Sequence, residues 1–172
     1  MNVQEATTRR LPDLKERHLP ENCRETINTI LKETYGYEQF RNLEIYDDLS
    51  KGKEKLCISQ GQLIENVILE AEKAWKSETQ VDNILLTAPT GSGKSLLFQL
   101  PAIYLGKEYN LLTIVVSPLK ALIVDQVESL QELGYARVAY ASSDLSPEQK
   151  MEVYRQVREG EIDLFYLSPE LL

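Results

Sequence analysis

The stretch from Asn83 to Leu100 constrains the fold more than any other part of the chain. It joins an apolar, β-rich run at 84–87 to the loop APTGSGKS and then to the apolar segment LLFQL. Gly91 and Gly93 allow successive backbone N–H groups to turn inward, and the N-terminus of a following helix adds the positive end of its dipole. A strand, a glycine-rich loop and a helix in this order predict a phosphate-binding loop.

Lys94 and Ser95 are the candidate catalytic residues of this loop. In such loops the lysine reaches the β- and γ-phosphates of a nucleoside triphosphate, and the serine hydroxyl binds Mg²⁺. Ala88 stands where the motif usually has glycine, which we interpret as a tolerated variant. The alternative is an ordinary glycine-rich turn with a solvated lysine, and the flanking strand and helix patterns disfavour it.

Composition limits the kinds of partner that the chain can take. It has 172 residues, enough for one domain with a real core, and 27 acidic against 19 basic residues give a net charge of −8. A broad basic surface is therefore excluded, and we expect any nucleic-acid contact to be local. The two cysteines, Cys23 and Cys57, lack the paired spacing of a zinc site.

The sequence predicts no secretory signal and no membrane span. The first twenty residues are charged throughout, and no apolar run reaches the length that crosses a bilayer. We expect a cytoplasmic location, or a nuclear one in a eukaryote.

Helices and strands alternate along the second half of the chain. Residues 1–20 are predicted to be a loosely ordered polar lead-in, 21–80 a helical segment with an insertion at 42–60, and 81–172 an α/β domain. One helix is predicted from Asn22 to near Gly36, and a second begins near Gly61. A third follows Lys94, with a kink or early end at Pro101, and two more cover 119–133 and 147–159. The predicted strands cover 84–87, 113–117, 138–141 and 163–168, with 113–117 buried on both faces. This order predicts a parallel sheet with helices on both faces.

Small or polar residues end each predicted strand, and ligands of such sheets bind beyond those ends. These residues are Thr87, Ser117, Ser142 and Ser168. Ser-Pro after a strand is also simply a good helix start. The phosphate-binding loop at the same edge favours the functional interpretation.

Four segments together resemble the RecQ-like ATP-dependent DNA helicases of helicase superfamily 2. They are LKETYGYEQFR at 31–41, PTGSGKSLLFQLPA at 89–102, VSPLKALIVDQVESLQELG at 116–134 and REGEIDLFYLSPELL at 158–172. The resemblance runs from Leu31 to the last residue. It implies the first part of a RecA-like motor domain, which uses ATP and Mg²⁺ and moves on DNA, single-stranded or branched.

The resemblance also implies which residues bind. Adenine would be framed by Tyr35 and Arg41 and read by Gln62, with Gln39 as the competing candidate. In this chain Gly61-Gln62 follows Phe40-Arg41 only after about twenty residues, which an insertion explains. The phosphates and Mg²⁺ would contact the loop residues Pro89, Thr90, Gly91, Ser92, Gly93, Lys94 and Ser95. DNA would contact three strand-end segments, namely Ser117, Pro118, Leu119 and Lys120; Ser142 and Ser143; and Ser168, Pro169 and Glu170.

The Asp-Glu-x-His motif of the family follows the Pro-Glu segment, and the sequence reaches Leu172 before it. That motif supplies the acids that coordinate Mg²⁺ and activate water, and a second lobe supplies an arginine finger. We therefore expect residues 1–172 to bind nucleotide but not to hydrolyse it without the remaining motor domain. Two other functions stay open: an ATPase that moves along duplex DNA without separating strands, and a nucleotide-binding module without catalysis.

Overall fold

A computed structural model describes residues 17–46, 55–76, 81, 83–86 and 91–172. These residues form five α-helices and five β-strands: α1 Glu21–Tyr35, β1 Asn42–Tyr46, β2 Lys55–Ser59, α2 Gln60–Trp75, α3 Leu96–Tyr109, β3 Thr113–Val116, α4 Lys120–Glu132, β4 Val138–Ala141, α5 Pro147–Arg158 and β5 Leu164–Leu167. A 3₁₀ turn covers Pro169–Leu171.

The chain divides into two compact units. The first consists of Met1–Thr26 and Glu38–Pro101, and the second of Ile27–Tyr37 and Ala102–Leu172. This division differs from the segment boundaries drawn on the sequence at residues 20 and 80, which stay a prediction.

The second unit contains a three-stranded parallel sheet in the order β3-β5-β4. Leu164 of β5 is aligned with Thr113 of β3 and with Val138 of β4, so the three strands run in register. Partners in a parallel ladder share a face, and every residue of β5 is buried. The predicted α/β class with a parallel sheet is confirmed.

One face of this sheet packs against α5. Its buried core contains Ala139, Ala141, Ile162, Phe165 and Leu167, against which Val153, Val157 and Leu171 pack. On the opposite face of β5, Leu164 and Tyr166 are buried as well. The central strand is therefore covered on both sides, as an apolar four-residue run in a parallel sheet requires.

The expectation that 113–117 is buried on both faces is wrong. Ile114 and Val116 are 54% and 46% exposed, and the strand alternates between half-buried and exposed residues. β3 lies at an edge of the described sheet, and the core against α5 is built from β4 and β5. The apolar side chains of β3 on that face consequently remain open.

The strand predicted before the glycine-rich loop is not formed at 83–86. These four residues have no regular secondary structure, and Leu85 is 91% exposed. A strand is stabilised by its hydrogen-bonded neighbours, and none of the described residues pairs with this run. Thr87 lies outside the described residues.

Helix α3 does not end at Pro101, so the early end is wrong, while the alternative of a kink stays a prediction. The helix continues without interruption to Tyr109. Residues 96–97 and 99–106 are all buried. This burial stabilises the helix on both sides of the proline and outweighs the one backbone hydrogen bond that proline removes.

Helix ends follow local sequence signals. Helix α1 ends before Gly36, as predicted, and Gly36 has φ +68°. At the start of α5 the Ser146 hydroxyl accepts from the Gln149 N–H, and the Gln149 side chain accepts from the Ser146 N–H, which forms a capping box.

The buried apolar faces of two helices are narrow. In α2, Leu63, Ile64 and Ile68 are buried but Trp75 is 57% exposed. In α4, Ile123, Val127 and Leu130 are buried, whereas three other leucines are exposed: Leu119, Leu122 and Leu133. Most of these exposed residues lie at helix ends, beyond the part that packs.

The end of the predicted loose lead-in is packed in the first unit. Leu19 is buried, and its N–H donates to the Glu65 carboxylate at 3.0 Å. Arg17 pairs with the buried Glu70 at 2.7 Å. Residues 17–20 are therefore held on α2, while 1–16 lie outside the described residues.

A buried carboxylate joins three elements of the second unit. Asp163 is 1% exposed and accepts from the Arg137 Nε and Nη2 atoms, each at 2.7 Å, and from the Tyr135 hydroxyl at 2.6 Å. Burial, followed by the bond to Asp163, raises the pKa of Tyr135. A Cβ on Gly106 of α3 would lie 2.3 Å from the Asp163 Cγ, so only glycine fits there.

We predict that Asp163→Asn lowers the free energy of unfolding by about 1–3 kcal/mol, because it removes a charged acceptor that a half-exposed arginine pairs with. Urea denaturation measures this change. Asp125→Asn, on the exposed side of α4, is the control and should change stability by less than about 0.5 kcal/mol. Equal stabilities of the two variants would contradict the role of Asp163.

Candidate nucleotide and nucleic-acid sites

The glycine-rich loop of the first unit has the backbone geometry that its sequence predicts. Gly91 and Gly93 have φ values of +80° and +76°, in the left-handed region that favours glycine. Alternation of left- and right-handed residues makes backbone N–H groups converge into a concave anion-binding surface. Within the described residues no atom lies within 4 Å of a Cβ placed on Gly91.

The loop leads directly into α3. The carbonyl groups of Gly93, Lys94 and Ser95 accept from the N–H groups of Leu96, Leu97 and Gln99 at 3.2, 3.0 and 2.9 Å. Lys94 is exposed and Ser95 half-buried, and both lie at the positive end of the helix dipole. This arrangement suits an anionic ligand. The Ser95 hydroxyl is a hard oxygen donor of the kind that Mg²⁺ accepts alongside water and phosphate oxygens.

Two further observations concern the rest of this loop. The Ser92 hydroxyl is buried and has no hydrogen-bond partner within the described residues. Pro89 and Thr90, which the resemblance also assigns to the phosphates, lie outside the described residues. Their role stays a prediction.

Gln60 contacts the loop, and the sequence analysis missed it. Its Oε1 accepts from the Arg41 N–H at 3.1 Å, and its Nε2 donates to the carbonyl groups of Ser92 at 3.2 Å and Gly93 at 3.5 Å. Gln60 is 2% exposed. The signal available in the sequence was the position of Gln60 directly before Gly61-Gln62.

The structure brings Arg41 and the loop together through Gln60. The Arg41 carbonyl accepts from the Gln60 N–H at 2.9 Å, while the Arg41 side chain is exposed. Gly61 packs against the Phe40 ring, where a Cβ would lie 2.6 Å from a ring carbon. Residues on both sides of the β1–β2 pair are therefore in contact, and the interpretation of 42–60 as an insertion stays a prediction.

Gln62 lies in the first turn of α2. It is half-buried, and its carbonyl accepts from the Asn66 side-chain amide at 2.8 Å. The competing candidate, Gln39, is exposed. Adenine recognition by Gln62 stays a prediction.

Tyr35 belongs to the second unit. Its ring stacks on Tyr37 with centroids 6.4 Å apart. Burial, followed by the neighbouring Tyr166, raises its pKa, so the ring is neutral at physiological pH.

The three strand-end segments of the second unit meet at one edge of the sheet. The Ser117 N–H donates to the Leu167 carbonyl at 3.1 Å, and the Ser168 N–H donates to the Ala141 carbonyl at 3.2 Å. Because the strands are in register, their carboxyl ends stop at the same level. Ser142 is buried there, and Ser143 is exposed.

Lys120 and two carboxylates form an ion cluster at this edge. The Lys120 Nζ lies 2.9 Å from Asp144 Oδ1 and 3.7 Å from Glu170 Oε1, and it also donates to the Ser143 hydroxyl. The hydrogen bond to Asp144 raises the pKa of Lys120, and the Glu170 backbone N–H lowers the pKa of the Glu170 carboxyl. Lys120 and Glu170 are therefore charged at neutral pH. Sequence reasoning had named Lys120 and Glu170 but missed Asp144.

The described part of the chain shows neither a cluster of metal ligands nor a helix that could span a membrane. It holds no cluster of three His, Cys, Asp or Glu side chains that could bind a metal ion. Both cysteines are free thiols. Among the helices at 21–35, 60–75, 96–109, 120–132 and 147–158, none is both long and apolar enough to span a membrane.

Comparison with known proteins identifies the family. The model of the DEAD/DEAH box helicase family matches residues 68–172, well over half of the chain. The chain belongs to the DEAD/DEAH box helicases. The match includes the glycine-rich loop and all three strand-end segments of this helicase chain.

Relatives within this family support the RecQ-like resemblance. The helicase chain is 34% identical over 149 residues to the ATP-dependent DNA helicase RecQ of Synechocystis, covering 87% of this chain and 24% of that protein. It is 32% identical over 145 residues to the RecQ helicase of Haemophilus influenzae, covering 84% and 18%. The RecQ helicase of Bacillus subtilis is 32% identical over 144 residues, with 84% and 19% covered. The chain thus spans a quarter or less of these relatives and corresponds to a motor region of a RecQ-like, superfamily 2 helicase.

We predict that Gly93→Ala destabilises the helicase chain more than Gly91→Ala does. Both residues have positive φ, so both substitutions carry a backbone cost of about 1–2 kcal/mol. Among the described residues, only the new Cβ at Gly93, and not that at Gly91, would meet another group, since it would lie 2.6 Å from Gln60 Nε2. Urea unfolding of the two variants measures the difference, and equal losses would contradict the contact between Gln60 and the loop.

Proposed function

We propose that the chain is the ATP-binding part of a DNA helicase that couples ATP hydrolysis to movement on DNA and strand separation. The loop at 91–95, with two left-handed glycines and a helix directly behind it, carries this proposal. The family match and the names of the relatives support it. The remaining motor domain of the full protein would complete the hydrolytic site.

The residues of the loop divide the work of binding. Lys94 contacts the phosphates by charge-assisted hydrogen bonds, and the N–H groups at the start of α3 contact their oxygens. The Ser95 hydroxyl is the ligand this chain would offer to Mg²⁺, which neutralises charge on the β- and γ-phosphates when bound. Gln62 reads adenine, because a carboxamide can donate to and accept from one base edge at once. Arg41, in the same unit as the loop, frames the base.

DNA binds at the strand-end edge of the second unit. Hydroxyl and backbone N–H groups at 117–120, 142–143 and 168–170 contact phosphates without a net positive surface. Lys120 provides a positive charge at this edge, and Asp144 and Glu170 partly neutralise that charge. Binding through these groups is therefore weak and depends little on salt.

Lys94→Ala should weaken binding of ATP with Mg²⁺ by at least about tenfold, because each charge-assisted contact to phosphate is worth about 1.5–3 kcal/mol. Isothermal titration calorimetry of the full-length protein measures the affinity. Lys107→Ala removes an exposed lysine from the last turn of the same helix and is the control. Equal ATP affinities of the two variants would refute the phosphate-binding role of the loop.

Lys120→Ala should weaken binding of single-stranded DNA and make the salt slope shallower by about 0.7, the loss of one phosphate contact. Asp144→Asn should strengthen binding severalfold, since it removes a carboxylate that competes with phosphate for Lys120. Fluorescence anisotropy between 50 and 200 mM salt measures both, with Lys107→Ala as the control. An unchanged affinity in both variants, or a wild-type slope typical of many phosphate contacts, would rule out this edge as the DNA site.

A further inference from the structure

We propose that Gln60 is a positioning residue for nucleotide binding, which aims two peptide N–H groups of the phosphate loop. This inference rests on the proposed function, because it assigns a role within the same nucleotide site. It also gives a role to the inserted segment at 42–60, which the sequence analysis left without one.

Every hydrogen-bonding group of the Gln60 side chain is directed by its surroundings. The Arg41 N–H can only donate, so it faces the side-chain oxygen, and the Ser92 and Gly93 carbonyls can only accept, so they face the nitrogen. The side chain is almost fully buried, where an unsatisfied amide is costly. Gln60 is therefore fixed in one orientation by the backbone on both sides of it.

Holding two carbonyl groups also sets the direction of two N–H groups. In a planar trans peptide the C=O and N–H bonds point in opposite directions. The Ser92 carbonyl shares its peptide with the Gly93 N–H, and the Gly93 carbonyl shares its peptide with the Lys94 N–H. Because Gln60 binds both carbonyls, both N–H groups point away from it, as donors for phosphate oxygens must.

The inserted hairpin places Gln60 next to the loop. β1 and β2 pair antiparallel, and the pair nearest to Gln60 is Asn42 with Ser59. The bond from the Gln60 N–H to the Arg41 carbonyl continues this ladder by one step. The Ser59 hydroxyl accepts from the Gly61 N–H and caps α2. The position of Gln60 is thus determined by the strand pair on one side and the helix start on the other.

The geometry separates this role from recognition of the base. The oxygen of Gln60 is occupied by Arg41, and the two hydrogens of its nitrogen face two carbonyl groups. No donor–acceptor pair is left to read an adenine edge. Gln60 is therefore expected to affect all phosphate ligands alike, whereas Gln62 is expected to affect the choice of base.

Gln60→Met tests the proposal, because methionine has a similar length but cannot make these hydrogen bonds. In the full-length protein we expect affinities for ATP, GTP and inorganic tripolyphosphate, each with Mg²⁺, to fall by a common factor of about ten. The ratio of ATP to GTP affinity should stay at the wild-type value. In the nucleotide-free protein, the ¹⁵N chemical shifts of the Gly93 and Lys94 amides should change, because Gln60 binds the carbonyl group of each of these two peptides.

Two further variants make the test specific. Asn66→Leu removes another buried side-chain amide of α2, which donates to the Gln62 carbonyl of the same helix, and it should leave the ¹⁵N chemical shifts of the loop amides unchanged. Gln60→Glu keeps the size and the acceptor for Arg41 but removes the donors to the loop. It should weaken tripolyphosphate binding as well. If the methionine variant folds poorly, the tripolyphosphate affinity of this variant tests the proposal instead.

The possible outcomes are distinct. Tripolyphosphate affinity and loop amide shifts equal to wild type in both Gln60 variants would overturn the proposal. So would a change in the ATP to GTP ratio with tripolyphosphate binding intact, because Gln60 would then read the base. A wild-type protein that binds none of the three ligands would refute the proposed function instead. Changed ¹⁵N shifts at Gly93 and Lys94 in the Gln60 variants would still support the positioning of the loop by Gln60, and unchanged shifts would overturn it.

Discussion

In-register pairing of β5 with β3 and β4 is the constraint on which the second unit depends. β5 is the only described strand of this sheet with a neighbour on each side, and all four of its residues are buried. Parallel strands in register end at the same level, and this alone brings three serine-containing segments from distant parts of the sequence to one edge. At the opposite end of the sheet the buried Asp163, held by Arg137 and Tyr135, fixes the starts of β4 and β5. The candidate DNA edge is thus a consequence of sheet register.

In the first unit, the main constraint is that a glycine-rich loop must be held in one conformation. Glycines at positive φ allow the loop to turn, but their conformational freedom means that contacts from outside the loop must hold this conformation. Helix α3 binds the loop from one side through the Gly93, Lys94 and Ser95 carbonyls. Gln60 binds it from the other side, and the hairpin of β1 and β2 supports Gln60. Both candidate sites therefore offer mainly backbone groups to a ligand, which agrees with a chain of net charge −8.

Features with local causes could be predicted from the sequence. The left-handed glycines at 91 and 93 and the capping box at Ser146 depend on neighbours within a few residues. Features that need a distant partner could not. Gln60 contacts the loop across 32 residues, and Asp144 meets Lys120 across 24. The same reason explains the wrong expectations at 84–87 and 113–117, because an apolar run shows a capacity for burial but not which neighbours will cover it.

The account claims, above all, that backbone N–H groups at 91–95 bind phosphate. Amide chemical shifts of ¹⁵N-labelled protein, followed during titration with Mg²⁺ and a non-hydrolysable ATP analogue, test this directly. We expect the largest shifts at Gly91, Ser92, Gly93, Lys94 and Ser95, and we expect inorganic tripolyphosphate to reproduce most of them. Saturable nucleotide binding that leaves these five amides unchanged would contradict the account.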